Sequence, residues 1–260
     1  MLNFFKKRTQ AELKKTQPVL PLPGCAYVIG DVHGCFEELQ ELLLLIEEDA
    51  KKFTGTPVHV IFLGDLMDRG PRSKDVIETL MNYKPDYAEP VFLMGNHEEM
   101  FLKILAGDSK SLPSWFEFGG RATSRSYGVD NLGAVHTQPE SLIHQIQSKV
   151  PRSHVEFINT FKDSFLFGHY LCVHAGIRPN VAIEEQKSRD LRWIRKAFLS
   201  HKGQHPYIIV HGHSIVEEAV ALPNRIAVDT GAYDGGPLTA VRLHEAGPDF
   251  IQSQSRSPKT

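Results

Sequence analysis

Three times in the first hundred residues, a run of strand-forming residues ends at a glycine and opens directly onto hard metal-ligand side chains. Ala26-Tyr27-Val28-Ile29 leads into Gly30-Asp31-Val32-His33-Gly34, and Val58-His59-Val60-Ile61-Phe62-Leu63 leads into Gly64-Asp65-Leu66-Met67-Asp68-Arg69-Gly70. Val91-Phe92-Leu93-Met94 leads into Gly95-Asn96-His97-Glu98. Asp65 follows Asp31 by 34 residues and Asn96 follows Asp65 by 31. Those gaps suit consecutive strand-loop-helix units, whose loops gather at the carboxyl edge of one sheet. Asp, His, Asp, Asn and His are thereby delivered to one place, as a catalytic metal site requires. Read as helix caps, these carboxylates account for Asp31 ahead of the helix near Cys35, but not for the repetition.

The intervening sequence supports that layout. Phe36, Leu39, Leu42, Leu43 and Ile46 recur at three- and four-residue steps among glutamates, the pattern of an amphipathic helix against a sheet. Val76, Ile77, Leu80 and Met81 repeat it after the second loop, and Met100, Phe101, Ile104 and Leu105 after the third. Three such units in succession predict a largely parallel sheet. From about 107 to 159 the pattern changes to an insertion carrying Trp115, Phe116, Phe118, Arg121, Arg125 and Tyr127. It is expected to cap the site, its aromatics either lining an entrance or packing a small core of their own. The second half reads as short strands at 163–167, 170–174, 207–210, 219–222, 225–228 and 238–243, with one helix marked by Leu191, Ile194, Ala197 and Phe198.

With 260 residues and 41% hydrophobic content, the chain carries one large domain, read as 24–251. A basic, proline-terminated tail over 1–23 precedes it, and a disordered polar tail over 252–260 follows. The net charge of −2 gives no basic footprint, so stable nucleic-acid binding is not expected. Three cysteines argue against a disulfide framework and for a reducing, cytoplasmic setting. Cys25 and Cys172 read as small buried hydrophobes, and Cys35 as a packed residue at a helix start. No stretch reaches the ~18 apolar residues of a membrane span.

The three loops resemble those of the calcineurin-like metallophosphoesterases and, more narrowly, the phosphoprotein phosphatases, whose GDxHG, GDxxDRG and GNHE patterns are all present. Val173-His174-Ala175-Gly176 and His211-Gly212-His213-Ser214 look like the remaining ligand segments. Trp193-Ile194-Arg195 and Val228-Asp229-Thr230-Gly231-Ala232 are similar to segments of the bacterial and phage lambda-type serine/threonine phosphatases. His-Ala-Gly and Gly-His-Ser stand where eukaryotic members carry His-Gly-Gly and Arg-x-His, which sets eukaryotic substrates and regulatory subunits apart from this chain. The resemblance implies an α+β, four-layer αββα sandwich of two mixed sheets flanked by helices.

It also implies two divalent ions: Asp31 and His33 on one, Asn96, His174 and His213 on the other, and Asp65 bridging. A donor set of oxygen and imidazole nitrogen without thiolate suits manganese first, with iron or zinc as alternatives. A hydroxide bridging the ions would attack phosphorus directly, so no serine or cysteine nucleophile is needed. His97, whose side chain diverges from that of Asn96, is cast as general acid, with Asp68 orienting it. Arg69 and Arg195 are placed on the substrate phosphate, with Asn96 also reaching it. His211, two residues before His213, is read as a core or supporting histidine, with metal contact as the alternative. The other eight histidines are read as surface or satisfied polar residues.

The leading expectation is a phosphomonoesterase acting on phosphoserine or phosphothreonine, and also on phosphotyrosine, in proteins, because Asp68-Arg69-Gly70 occurs together with Asn96-His97-Glu98. The rival is a hydrolase of diadenosine tetraphosphate or of nucleotide caps. Such hydrolases share the Gly30–Cys35 start, but typically lack the aspartate of Asp-Arg-Gly and carry aspartate where this chain has Glu98. Cap aromatics would give a base something to stack on. A non-catalytic scaffold would have shed ligands, and every expected position is filled.

Overall fold

The computed structural model describes residues 21–254. The expectations for a basic tail and for the polar end fall outside the described residues except at 21–23 and 252–254. The first half follows the three-unit reading: β1 (Cys25–Ile29), α1 (Phe36–Ala50), β2 (Val58–Phe62), α2 (Ser73–Met81), β3 (Glu89–Phe92) and α3 (Asn96–Leu105). β1, β2 and β3 pair in parallel. Side chains alternate across a strand, and the two sets go to different cores. Cys25, Tyr27, Ile29, Val58, Val60 and Phe62 pack with Leu39, Leu42, Val76 and Phe101 of the helices. Ala26, Val28, Ile61 and Leu63 belong to a second core on the opposite face.

Residues 107–159 thicken the helical layer. α4 (Leu112–Trp115), a π-type turn at Phe116–Gly120, α5 (Arg121–Ser126), α6 (Pro139–Lys149) and α7 (Arg152–Ile158) contact α2 and α3. Trp115, Phe116, Tyr127, Leu142 and Ile158 join the same core as α1.

The second sheet is built from β4 (Ser164–Phe167), β5 (Tyr170–Val173), β6 (Ile208–His211), β7 (Val220–Leu222) and β8 (Arg225–Ala227), in the order β4-β5-β6-β8-β7. α8 (Ser188–Trp193) and α9 (Lys196–Leu199) connect β5 to β6. The chain then returns to the first sheet as β9 (Thr239–His244), antiparallel to β1, with β10 (Gly247–Gln252) at its edge. Phe167, Cys172, Val210 and Ile226 meet Val28, Ile61 and Val241 between the sheets. On the outer face, Leu171, Val173 and Ile209 meet Leu191, Ile194 and Phe198. Three cores between four layers make the expected αββα sandwich.

Local differences have local causes. β10 is absent from the sequence expectation; an edge strand tolerates its Pro248, and the hairpin with β9 sets its register. Just past 251, Ser253 is buried, donates its amide to the Leu238 carbonyl at 3.0 Å and accepts the Leu238 amide on Oγ at 2.9 Å. The single helix expected around 191–198 is two, because Ile194 takes an extended ψ of 140°. Among the described residues, no helix is long and apolar enough to cross a membrane.

The phase of α1 is testable. Leu42 is fully buried and Leu44 is 67% exposed. Leu42→Ala is expected to cost about 2–5 kcal/mol and Leu44→Ala under about 0.5 kcal/mol, read from denaturant unfolding; comparable losses would refute the assigned face.

Candidate functional site

The carboxyl ends of β1, β2, β3, β5 and β6 bring Asp31, His33, Asp65, Asn96, His174 and His213 together, all buried. The loops need unusual backbone to do it. His33, Asp65, Asp68, Arg69 and His213 all have φ between 46° and 70°, a region costly for residues other than glycine. Backbone hydrogen bonds hold them there. The Asp65 carbonyl accepts the amides of Val32 (3.1 Å) and His33 (2.8 Å), and Gly212 donates to the His174 carbonyl at 2.9 Å. A Cβ on Gly212 would stand 2.1 Å from Asp31 Oδ1, so only glycine lets β6's loop approach the first loop.

Two clusters result, His33 with Asp65 and His97, and Asp65 with His174 and His213. Their donor chemistry fits a cation. His174 Nδ1 donates to the Leu63 carbonyl at 3.0 Å, which turns Nε2 into the site. There Nε2 lies 2.9 Å from Asn96 Oδ1, 3.3 Å from Asp65 Oδ2 and 3.2 Å from His213 Nδ1, so four side chains bring ligand-type atoms to one point. His33 Nδ1 likewise engages the Met67 carbonyl at 2.7 Å, turning Nε2 toward Asp65 Oδ2 (3.6 Å) and Asp31 Oδ2 (3.9 Å). His213 Nε2 is buried without a hydrogen-bond partner.

The electrostatics agree. Burial and the charges of Asp229 and Asp65 hold the Asp31 carboxyl well above the usual range. Burial opposes ionisation of Asp65 too, but His174 and His97 outweigh it and pull its pKa down. Burial and neighbouring His174 push His213 down to about 2, with Arg195 contributing. The lowered His33 and His213, neutral imidazoles beside crowded carboxylates, are what a divalent ion binds.

Next to this centre, His97 Nδ1 donates to Asp68 Oδ2 at 2.7 Å, and its Nε2 points toward Asp65 Oδ2 at 3.7 Å. Burial lowers the imidazole's pKa, but the charges of Asp65 and Asp68 and the Asp68 hydrogen bond outweigh it and raise it. Asp68 is fixed from the insertion: Trp115 Nε1 donates to Oδ2 at 2.9 Å and Thr123 Oγ1 to Oδ1 at 2.6 Å. Trp115 and Phe116 are therefore buried behind the site rather than lining an entrance, and only Phe118 of the three aromatics is exposed. Arg69 donates from Nη1 to His33 Nε2 at 2.8 Å, and its guanidinium lies 4.5 Å over the Tyr233 ring. Arg195 is exposed at the break before α9, close enough for its charge to reach His213.

Sequence reasoning gave no role to four residues that matter here. Glu98 accepts the amides of Asp65 (2.8 Å) and Gly95 (3.0 Å) on Oε2 and of Leu66 (2.8 Å) on Oε1. Burial and the Asp65 charge push it up to about 7. Asp229 faces the same space and is pushed up to about 6 by burial and by Asp65. Tyr233 packs edge-on against His33 at 5.2 Å, and Thr123 holds Asp68. Glu98 and Asp229 lie inside quoted motifs, a signal for a site role; Thr123 and Tyr233 carry none. His211 joins neither cluster and packs against Phe198. His154 is satisfied by Tyr127 and Glu78, as expected. His205 is not: it is buried against Phe198 with Nε2 lacking a hydrogen-bond partner.

Glu98→Ala orphans three buried amides at once. At about 1–3 kcal/mol per unsatisfied donor, it is expected to destabilise the fold by several kcal/mol and to lower divalent-ion content. Unfolding curves and elemental analysis check this, and parent-like values in both would refute the bracing role.

A calcineurin-like phosphoesterase family model matches residues 26–251. Among relatives, the asymmetrical bis(5'-nucleosyl)-tetraphosphatase PrpE of Anoxybacillus flavithermus is 28% identical over 244 aligned positions, spanning 84% of this chain and 90% of its own. That of Oceanobacillus iheyensis is 29% identical over 260 positions, spanning 89% and 92%. Two solved structures share the fold. One is provisionally described as a diadenosine tetraphosphatase (20% identity, TM-score 0.59, 90% of this chain and 96% of that one). The other is the cold-active protein-tyrosine phosphatase of a Shewanella species (17%, 0.58, 89% and 80%). The sequence relatives are named for a dinucleotide and not for a phosphoprotein, which overturns the expectation of a protein phosphatase. With the family match spanning nearly all of the described residues and the ligand loops gathered at one edge of the sandwich, the chain belongs to the calcineurin-like phosphoesterases.

Proposed function

We propose that this chain hydrolyses dinucleoside polyphosphates, cleaving one phosphoanhydride bond of a bis(5'-nucleosyl) tetraphosphate. The observation that carries this reading is the near full-length similarity to relatives of that name. Asp31 and His33 would hold one divalent ion, Asn96, His174 and His213 a second, and Asp65 both; manganese suits the oxygen and nitrogen donors. Such ions supply Lewis acidity toward the phosphate oxygens and make a water acidic enough to attack phosphorus. The half-buried Arg69 offers a planar guanidinium to two phosphate oxygens, and the exposed Arg195 a second cation beyond His213.

His97 keeps a proton at Nδ1 against Asp68, so the proton it gives up comes from Nε2, the atom turned toward Asp65 and the metal cluster. A nucleoside phosphate leaves as a stabilised anion, whereas a simple alkyl phosphate expels a strongly basic alkoxide. Proton delivery by His97 therefore matters less for the anhydride than for the alkyl ester. The three buried, free cysteines fit a reducing, cytoplasmic setting.

Three outcomes are expected. Diadenosine tetraphosphate is turned over faster than a phosphoserine peptide, and chromatography finds mono- and triphosphate products, as off-centre cleavage requires; two diphosphates would mean central cleavage, and preference for the peptide would refute the reading. Chelation stops turnover and manganese restores it, and full activity in a sample shown metal-free would refute the ion requirement. His97→Asn lowers kcat on an alkyl phosphate about 10²–10⁴-fold and clearly less on the dinucleotide, with metal content verified in both; equal losses would make His97 a ligand or a structural residue.

A further inference from the structure

A phosphoanhydride hydrolase must hold more than phosphates: its substrate ends in nucleobases, flat and poorly solvated on both faces. Large apolar side chains exposed beside the metal centre are the place to look. Among the described residues, seven large hydrophobics are exposed. Leu44 and Leu45 lie on α1, Leu166 on β4, Val220 on β7 and Phe250 on β10, away from the ligand loops. Phe118 (48% exposed) precedes the glycine bonded to the Arg69 loop, and Ile215 (49% exposed) follows His213 by two residues.

Their neighbours join them to the site. Gly119, next to Phe118, has φ +112°, its carbonyl accepts the Arg69 amide at 3.2 Å, and a Cβ there would stand 2.6 Å from the Arg69 nitrogen. Only glycine permits that approach, and it clamps the Phe118 turn to the loop that carries Arg69. On the other side, Ile215 follows His213 by two residues and sits against Gly231, 3.3 Å from where a Cβ would be. Gly231 opens the turn that carries Tyr233, and Tyr233 lies under Arg69 and against His33. Phe118, Arg69, Tyr233 and Ile215 thus form one arc, with a cation at its middle and an exposed apolar side chain at each end. Arg69 already occupies one face of Tyr233. Phe118 is the aromatic of the arc left with open surface.

We infer that this arc is a nucleoside subsite, in which Phe118 stacks a nucleobase while Arg69 grips the phosphate attached to it. Aromatic stacking of this kind tolerates any base, so Phe118 is assigned selectivity for nucleotides over simple phosphoesters rather than for one base. The inference rests on the proposed dinucleotide activity.

The test uses the metal-loaded full chain. Phe118→Ala is expected to lower kcat/KM for diadenosine tetraphosphate, relative to p-nitrophenyl phosphate, on the order of 10-fold, mainly through KM. Phe118→Tyr, which keeps the ring, should retain the parent ratio, as should Phe250→Ala, an exposed aromatic removed elsewhere. Calorimetric binding of adenosine monophosphate should weaken by a similar factor, and that of inorganic phosphate much less. A Phe118→Ala ratio within twofold of the parent, or equal weakening of the two ligands, overturns the subsite while leaving the dinucleotide reading intact. Absence of turnover of diadenosine tetraphosphate by the parent overturns that reading, and the subsite with it.

Discussion

Asp65 is the residue through which the loops are tied together. Its carbonyl accepts two amides of the first loop, its amide donates to Glu98, and Oδ1 accepts the His97 amide at 3.0 Å. Oδ2 is thereby left to His33, His174 and His97. A buried carboxylate used this way is expensive unless its charge is matched, and the expected cations match it. The left-handed conformations of five site residues belong to the same arrangement: each is disfavoured alone and is kept in place by bonds that run between loops.

Glu98 explains why motif reading went to the wrong substrate. Asn96-His97-Glu98 and Asp68-Arg69-Gly70 weighed toward phosphoproteins, yet both Glu98 oxygens are taken by backbone amides and the Asp68 carboxylate by His97, Trp115 and Thr123. Both acids hold neighbouring groups in place. They report how the loops are braced, a requirement shared by enzymes with different substrates, so their presence says little about what is hydrolysed.

Most of the fold was legible because period-two strands and amphipathic helices are local patterns, and because Gly30, Gly64 and Gly95 mark where each strand turns into its loop. The gathering of Asp31, His33, Asp65 and Asn96 followed from that alone. His174 and His213 needed the family pattern, since no local spacing links β5 and β6 to the first half. Trp115 and Thr123 were out of reach: their partner Asp68 is 47 and 55 residues away, and an indole donor leaves no mark in a sequence that already calls for a buried aromatic. β10 was missed because its pairing is dictated by β9, not by its own composition.

Trp115, which holds Asp68, and the exposed Phe118 belong to one continuous stretch that ends at Gly119 and Gly120. Both glycines are pinned, one by the Arg69 backbone and the other by the Trp115 indole, 2.3 Å from where a Cβ would stand. The outward face of this segment is therefore free to diversify only at Glu117 and Phe118, since a longer or shorter turn would drag the indole off its carboxylate. New preferences can evolve here by exchanging side chains, whereas insertions and deletions would disable the chemistry before they changed what it acts on.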